Sequence, residues 1–334
     1  MASKYRRLQL SLIGILAVLL SAAQCQVGAQ STPPTQESIT PTIALIPPIQ
    51  PGDSTDLIDQ LLAAGVIRVG IRVWPGAEFS PPAFRGFSNA ATGGALNGFE
   101  VDLAHHIADG LSLELELVEA YPPVLANGEW QGEWDIAIAS LVPFDQSPEI
   151  ITFSQPYGYI PMGVLVPADE NDIQAFNDLA NKKIGVLEHS AYQQLLSPDG
   201  QSLSVAGQSL LSQTPNGVQP ISLSNLSTAI HQLGVPVGEG ETQVEALFGP
   251  TPIFQEAIKS DLPVKLAPHA KNVGLQPLAI AIVPQDKLAT NRLVSEINII
   301  LTRLQRQGTL SEIYLRWYEQ DFSQLPTNNQ SQDQ

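Results

Sequence analysis

The stretch GFEVDLAHHIADGLSLELELVE, residues 98–119, changes its hydrophobic period once, and that change decides the fold class. Before Gly110, Val101, Ala104, Ile107 and Ala108 recur at three- and four-residue spacing, one stripe of an amphipathic helix. After it, Leu113, Leu115 and Leu117 alternate with polar or acidic residues, as in a strand with one buried face, until Val118 breaks the pattern. Toward the N-terminus, Leu57, Ile58, Leu61 and Leu62 recur at helical spacing, with Asp53, Ser54 or Thr55 placed to cap and Gly65 placed to end the helix. A strand from Val66 to Val73 follows directly. Toward the C-terminus, a helical segment through Leu125 leads to the apolar strand of EWDIAIAS, 133–140. Strand and helix alternate, which is the pattern of an α/β unit with a largely parallel sheet.

The pattern restarts after FSQPYGYIPMGVLVP, 153–167. FNDLANKKIGVL (176–187) reads as a helical turn and a strand, ISLSNLSTAIHQL (221–233) as a loop and a helix, and QVEALFGPTPIFQEAI (243–258) as a strand and a helix. A second α/β unit therefore spans about 165–267. LQPLAIAIVP (275–284) gives another apolar strand, and two helices parted at Gly308 close the chain. Two such units joined by two extended crossings leave a cleft between them, where small ligands are usually held.

Lys4, Arg6 and Arg7 precede LQLSLIGILAVLLSAA (8–23), the form of a secretory leader, so the protein is expected to be exported. VGA before Gln30 offers an ordinary cleavage site, and Cys25 sits where a lipoprotein cysteine would, although Gln24 before it is larger than a lipobox usually accepts. Cys25 is the only cysteine, which excludes a disulfide or a cysteine metal site in the folded part. Residues 26–52, rich in Pro, Thr, Ser and Gln, read as a tether. Taking the three leader bases from the 16 basic residues leaves 13 against 33 acids, a formal charge of −20. Such a field repels nucleic acid and anionic lipid and keeps an exported protein soluble. His105, His106, His231 and His269 lack metal-ligand spacing and read as surface residues. No nucleophile triad, Gly-rich phosphate loop or basic patch is present in the sequence, so no metal or cofactor and no nucleic-acid partner is expected.

GFEVDLAHHIA (98–108), EWDIAIASL (133–141), ITFSQPY (151–157), KKIGVLEHSAY (182–192) and LQRQGTLSEIYLRWY (304–318) stand in an order and spacing that resemble family 3 of the bacterial extracellular solute-binding proteins, the polar amino-acid binding components of ABC importers. The likeness runs from about Leu57 to Tyr318. It implies a type II periplasmic-binding-protein-like fold: two α/β lobes joined by two hinge strands and closing on ligand. It also implies a division into a leader (1–29), a tether (30–52), lobe one (53–160), lobe two (161–272), a hinge return with the C-terminal helices (273–322), and a disordered tail (323–334). The function it implies is that of a monomeric receptor, not an enzyme, which delivers a small-molecule ligand to an ABC permease at the outer face of the membrane. The alternatives of the same fold are a sensor or scaffold module signalling to a membrane partner, and an enzyme akin to dehydratases of cyclic carboxylates. The enzyme would need a cation and a placed acid or base, and no such pair stands out.

The resemblance also assigns pocket positions, and this chain departs at several of them. The family's carboxylate-binding Arg, six residues before the Phe of the FS.PY string, is Ser147 here. The family's ammonium-binding Asp falls on Pro250, followed by Thr251, and a Gly-Thr/Ser turn reads Glu188-His189-Ser190-Ala191. Phe79, Phe84 and Tyr121 match aromatic positions, while Ser140, Leu141 and Val142 lie at the strand end where backbone groups meet ligand. A zwitterion stripped of water without opposing groups loses several kcal/mol at each charge, so the standard amino-acid mode is not expected. Asp145 and Glu149, if inward, would favour a cationic or polyol ligand; Arg72 or Arg85, if either reaches the cleft, would restore a cation. His189 in the pocket turn would make binding pH-sensitive if it faces the ligand. Residues 197–240 are longer than family members carry and read as a surface excursion, with a lid or partner contact as the alternative.

Overall fold

A computed structural model describes residues 49–50, 52, 55–74, 82–85, 95–130, 132–235, 243–285 and 288–326. The leader, Cys25 and the tether through Pro48 lie outside them. Helix α1, Leu57–Ala64, is capped by Asp56, whose carboxylate accepts from the Ile58 N–H at 3.2 Å, one residue beyond the capping positions expected. Gly65 ends it at φ 73, the left-handed conformation glycine adopts without penalty. Strand β1 is Val66–Ile71, and α2 is Phe99–Leu111, with Val101, Ala104, Ile107 and Ala108 all buried. Strand β2, Glu114–Glu119, keeps its glutamates exposed and its leucines half-buried.

The remaining elements are α3 Pro122–Asn127, β3 Ile136–Leu141, β4 Gly158–Pro167, β5 Lys183–Leu187, α4 Ala191–Leu195, β6 Gln219–Leu223, α5 Leu226–Gln232, β7 Ala246–Pro250, α6 Thr251–Lys259, β8 Val264–Leu266, β9 Gly274–Ile282, α7 Asn291–Arg306 and α8 Thr309–Tyr318. The main path of the sheet runs β6-β5-β7-β4-β9-β3-β1-β2. At its two ends the neighbours are parallel, with β1 between β2 and β3, and β5 between β6 and β7. In the middle the long strands β4 and β9 run antiparallel, Gly274 opposite Met162 and Leu278 opposite Gly158. The rest of β9, Ala279 to Ile282, pairs with β3, while β4 continues onto β7. Two strands thus belong to both halves, and the halves are the two lobes of the α/β fold.

Burial follows the strand period. In the second lobe Val164, Val166, Val186 and Phe248 join the core on one face, while Leu165, Leu187 and Leu247 join the core on the other. In the first lobe the strands pack under α2, α7 and α8, where the Phe99 and Tyr314 rings meet at 4.1 Å. Residues 221–223, read as loop, belong to strand β6 at the sheet edge, where half-buried residues leave little alternation to read.

Order also extends past both expected ends. Ile49 packs on the first core, the Gln50 carbonyl accepts from Arg292 at 3.0 Å, and the Gly52 N–H donates to Asp59 at 2.6 Å. At the other end Ser323, in the expected tail, is buried and donates its N–H to Asp321 at 2.9 Å. Among the described residues no helix is long and apolar enough to cross a membrane.

Candidate functional site

The end of β3, the crossing strands and the N-terminus of α4 converge on a cavity of about 130 Å³ between the lobes. Ser140, Leu141, Val142, Ser147, His189, Ser190 and Pro250 all line it, as the resemblance placed them. Two other positions do not. Tyr121 stands at the N-cap of α3, 67% exposed and outside the lining, while Leu125 and Ala126 of the same helix reach the cavity. Thr251 is buried in the first turn of α6, where its hydroxyl donates to the Lys271 carbonyl at 2.7 Å and braces the helix against the return strand. Phe79 and the side chains of Phe84 and Arg85 lie outside the described residues.

The turn after β3 corrects a second expectation. Asp145 accepts from Ser204 Oγ at 2.6 Å and from the N–H groups of Ala206 and Gly207 at 3.0 and 2.9 Å. These bonds hold its carboxyl below the usual range, the Ser204 hydroxyl foremost. Glu149 is exposed, and neither acid lines the cavity, so these two acids give no support for a cationic ligand. The donors to Asp145 belong to the long excursion, which folds back here rather than projecting outward: Leu203 lines the cavity, Val205 and Leu210 pack on the second core and Leu211 is buried in it. Among the described residues of the insert, Leu203 alone reaches the cavity wall. Asp145→Ala is expected to speed amide hydrogen exchange at 204–209 with the melting temperature nearly unchanged, since the carboxylate itself is exposed. Unaltered exchange there would show that the apolar contacts alone hold this segment.

A cation does reach the cavity. Arg72, just past β1, is 9% exposed and donates from Nη1 to the His189 carbonyl at 3.0 Å and from Nη2 to the Glu188 carbonyl at 2.9 Å. Its guanidinium lies 5.6 Å from the Trp74 ring centroid, within cation–π reach. Burial lowers its pKa to about 10, against the opposing pull of Glu100 and Glu188. Trp74 itself leaves the first lobe and packs in the second core beside Leu187 and Leu226, so Arg72 and Trp74 together bridge the lobes. On the rim, Lys259 of α6 meets Glu319 beyond α8 at 2.6 Å, and Gln320 meets Gln255 at 2.9 Å.

Glu100, in the first turn of α2, shapes the strand end. It is fully buried, and its Oε1 accepts from the Ser140 N–H at 2.5 Å, the Ser140 hydroxyl at 2.8 Å and the Tyr157 hydroxyl at 2.9 Å. Burial pushes its carboxyl pKa up, against those donors and the Arg72 charge. Ser140 stands at φ 51, and two bonds from one carboxylate oxygen hold it in that unfavourable conformation. Sequence reasoning missed Glu100, although an acid one turn ahead of Ala104, on the buried stripe, was the available signal. Trp74, Tyr192, Gln276 and Tyr318 also line the cavity and carried no local signal, because each is brought there by tertiary packing.

The fold is thus two α/β lobes on paired crossing strands with a cavity between them. Residues 79–320 match the bacterial extracellular solute-binding proteins, family 3, and the chain belongs to that family. Among curated relatives, a probable amino-acid ABC transporter-binding protein of Haemophilus influenzae is 22% identical over 231 residues, 69% of this chain and 79% of the relative. The probable amino-acid-binding protein YxeM of Bacillus subtilis is 24% identical over 232 residues, again 69% and 79% of the two chains. Among solved structures, an ancestral arginine-binding protein bound to arginine superposes with TM-score 0.56 at 24% identity, covering 76% of this chain and 98% of the other. The chain is also similar over 224 residues to membrane-bound lytic murein transglycosylase F of Desulfosudis oleivorans, at 24% identity, covering 66% of this chain and 44% of that protein.

Proposed function

We propose that the protein is an exported receptor that captures a small solute between its lobes for an ABC permease, and that it does so without the standard amino-acid grip. The observation that carries this reading is the pair Ser147 and Pro250: both line the cavity, where the resemblance assigns an Arg and an Asp. Among the described residues the lining contains no Asp or Glu, so an α-ammonium group would lose its water and gain no counter-charge. The family and the relatives named for amino-acid ABC transport support the transport role.

The rest of the reading follows from the leader and the fold. A lipid on Cys25 and the tether would hold a monomer at the outer face of the membrane, whereas cleavage before Gln30 would remove Cys25 and release the chain. Lobe one (53–160 and 273–322) and lobe two (161–272) would close around ligand on β4 and β9. The protein is read as a non-enzyme, since among the described residues the lining holds no Asp or Glu to work with His189. A sensor or scaffold role is the second reading, supported only in that a region similar to this chain makes up under half of a longer protein not named for transport.

The test is calorimetric titration of the full-length chain and its Ser147→Arg/Pro250→Asp variant with the α-amino acids. The native chain is expected to give no heat of binding, and the variant to gain binding of at least one of them. Native binding of α-amino acids would overturn the reading, as would a folded variant that still ignores them all.

A further inference from the structure

We propose that Arg72 and Trp74 form the anchoring subsite of the cavity and select a small carboxylate with an apolar body and no cationic group. This assignment rests on the receptor reading above and goes on to name its ligand class. Three observations support it.

Arg72 is almost fully buried yet has no carboxylate within ion-pair distance among the described residues; its bonds go to two backbone carbonyls. The nearest buried acid, Glu100, spends Oε1 on Ser140 and Tyr157 rather than on the guanidinium. A guanidinium offers five N–H donors in a planar fork, so two bonds leave others for a ligand that also lies in the cavity. Glu100 and Glu188 act on the guanidinium only from beyond ion-pair distance, so its burial is incompletely offset and an anion in the cavity would offset more of it.

The second observation is Trp74, which is 8% exposed, lines the same cavity and has an indole N–H with no partner among the described residues. Both side chains line one cavity, with the Trp74 N–H buried in its wall. A carboxylate has two oxygens with which to answer both.

The third is the remaining wall. Leu125, Ile151, Phe153, Ile160 and Tyr318 present carbon surface, the polar part being uncharged amides and hydroxyls with His189, and among the described residues Arg72 is the only Lys, Arg, Asp or Glu in the lining. An apolar body gains from that surface, whereas an ammonium group finds no acid.

The experiment is titration of the full-length chain with compounds of one skeleton: 3-phenylpropanoate, 3-phenylpropan-1-ol, L-phenylalanine and 2-phenylethylamine, alongside short straight and branched alkanoates and a few sugars and nucleosides. A carboxylate is expected to bind at least about tenfold more tightly than the alcohol of the same skeleton, as a charge-assisted pair does. L-Phenylalanine and the amine should bind more weakly than the carboxylate. Arg72→Met should erase the preference of carboxylate over alcohol, and Arg72→Lys should keep it at lower affinity. If Arg72 serves only to hold the lobes together, Arg72→Met will weaken carboxylate and alcohol by the same factor, which overturns the subsite. Tighter binding of the amine or the amino acid overturns it as well. Binding of a sugar or nucleoside with every carboxylate inert overturns the ligand class and leaves the receptor reading in place; silence from all classes, in protein that melts cooperatively, removes both.

Discussion

Asp135→Ala is expected to destabilise the native state by about 3–5 kcal/mol, the range for removing one partner of a buried charged pair. Asp135 is 3% exposed and precedes β3, where its carboxylate accepts from the Arg68 N–H at 2.7 Å, from Arg68 Nε and Nη2 at 3.3 and 2.7 Å, and from Gln285 Nε2 at 2.9 Å. One side chain therefore ties β1, the entry to β3 and the segment leaving β9. Its loss strands four donors at once. Arg68 is 30% exposed and would recover part of its hydration, whereas Gln285 is buried and would not. A urea denaturation midpoint measures the cost, and a loss below about 1 kcal/mol would place the pair among ordinary surface ion pairs.

Glu100 should give the second large effect, and the sign depends on the replacement. Glu100→Ala leaves the Ser140 N–H and hydroxyl and the Tyr157 hydroxyl without their acceptor, a loss on the order of 3 kcal/mol. Glu100→Gln keeps an acceptor oxygen and removes the titration. Burial raises the native carboxyl above its unfolded value, so the native state holds this proton more tightly than the unfolded chain does. The stability it contributes is therefore complete below the unfolded pKa of about 4.3 and is lost as pH rises through the native value. Glu100→Gln should accordingly be more stable than the native protein at neutral pH, and the gap should close on acidification. Carboxyls held low by their hydrogen bonds, such as Asp145 and Asp178, lose stability on acidification in both proteins and cancel in the difference. A difference that stays constant with pH would contradict this account of Glu100.

The contrast between what the chain's local pattern revealed and what it hid has a physical basis. The helix α2 and strands β2 and β3 were legible because burial on one face imposes a period on neighbouring residues. Ser147 and Pro250 lie at the cavity, since strand ends and the turns after them are positioned by the sheet. Tyr121 stands exposed at the start of α3. Edge strand β6 hid itself for want of a buried face. The destination of Arg72 was unreadable: its partners lie 116 and 117 residues further along and are backbone carbonyls, which carry no side-chain signature. The outward turn of Asp145 depends on the returning hairpin, a contact between segments 59 to 62 residues apart. Positions of elements came from local physics, and the chemistry of the cavity came from what the fold brings together.

Thermal unfolding of the full-length chain against amino acids, small carboxylates, polyamines, quaternary amines, sugars and nucleosides tests the central claim most directly, that the interlobe cavity holds a small solute by something other than the amino-acid grip. A ligand at a hundred times its dissociation constant adds about 2.7 kcal/mol, or about 5 °C for a chain of this size. The account predicts such a shift from a solute without an α-ammonium group and none from the amino acids; a shift of that size from an α-amino acid would contradict it.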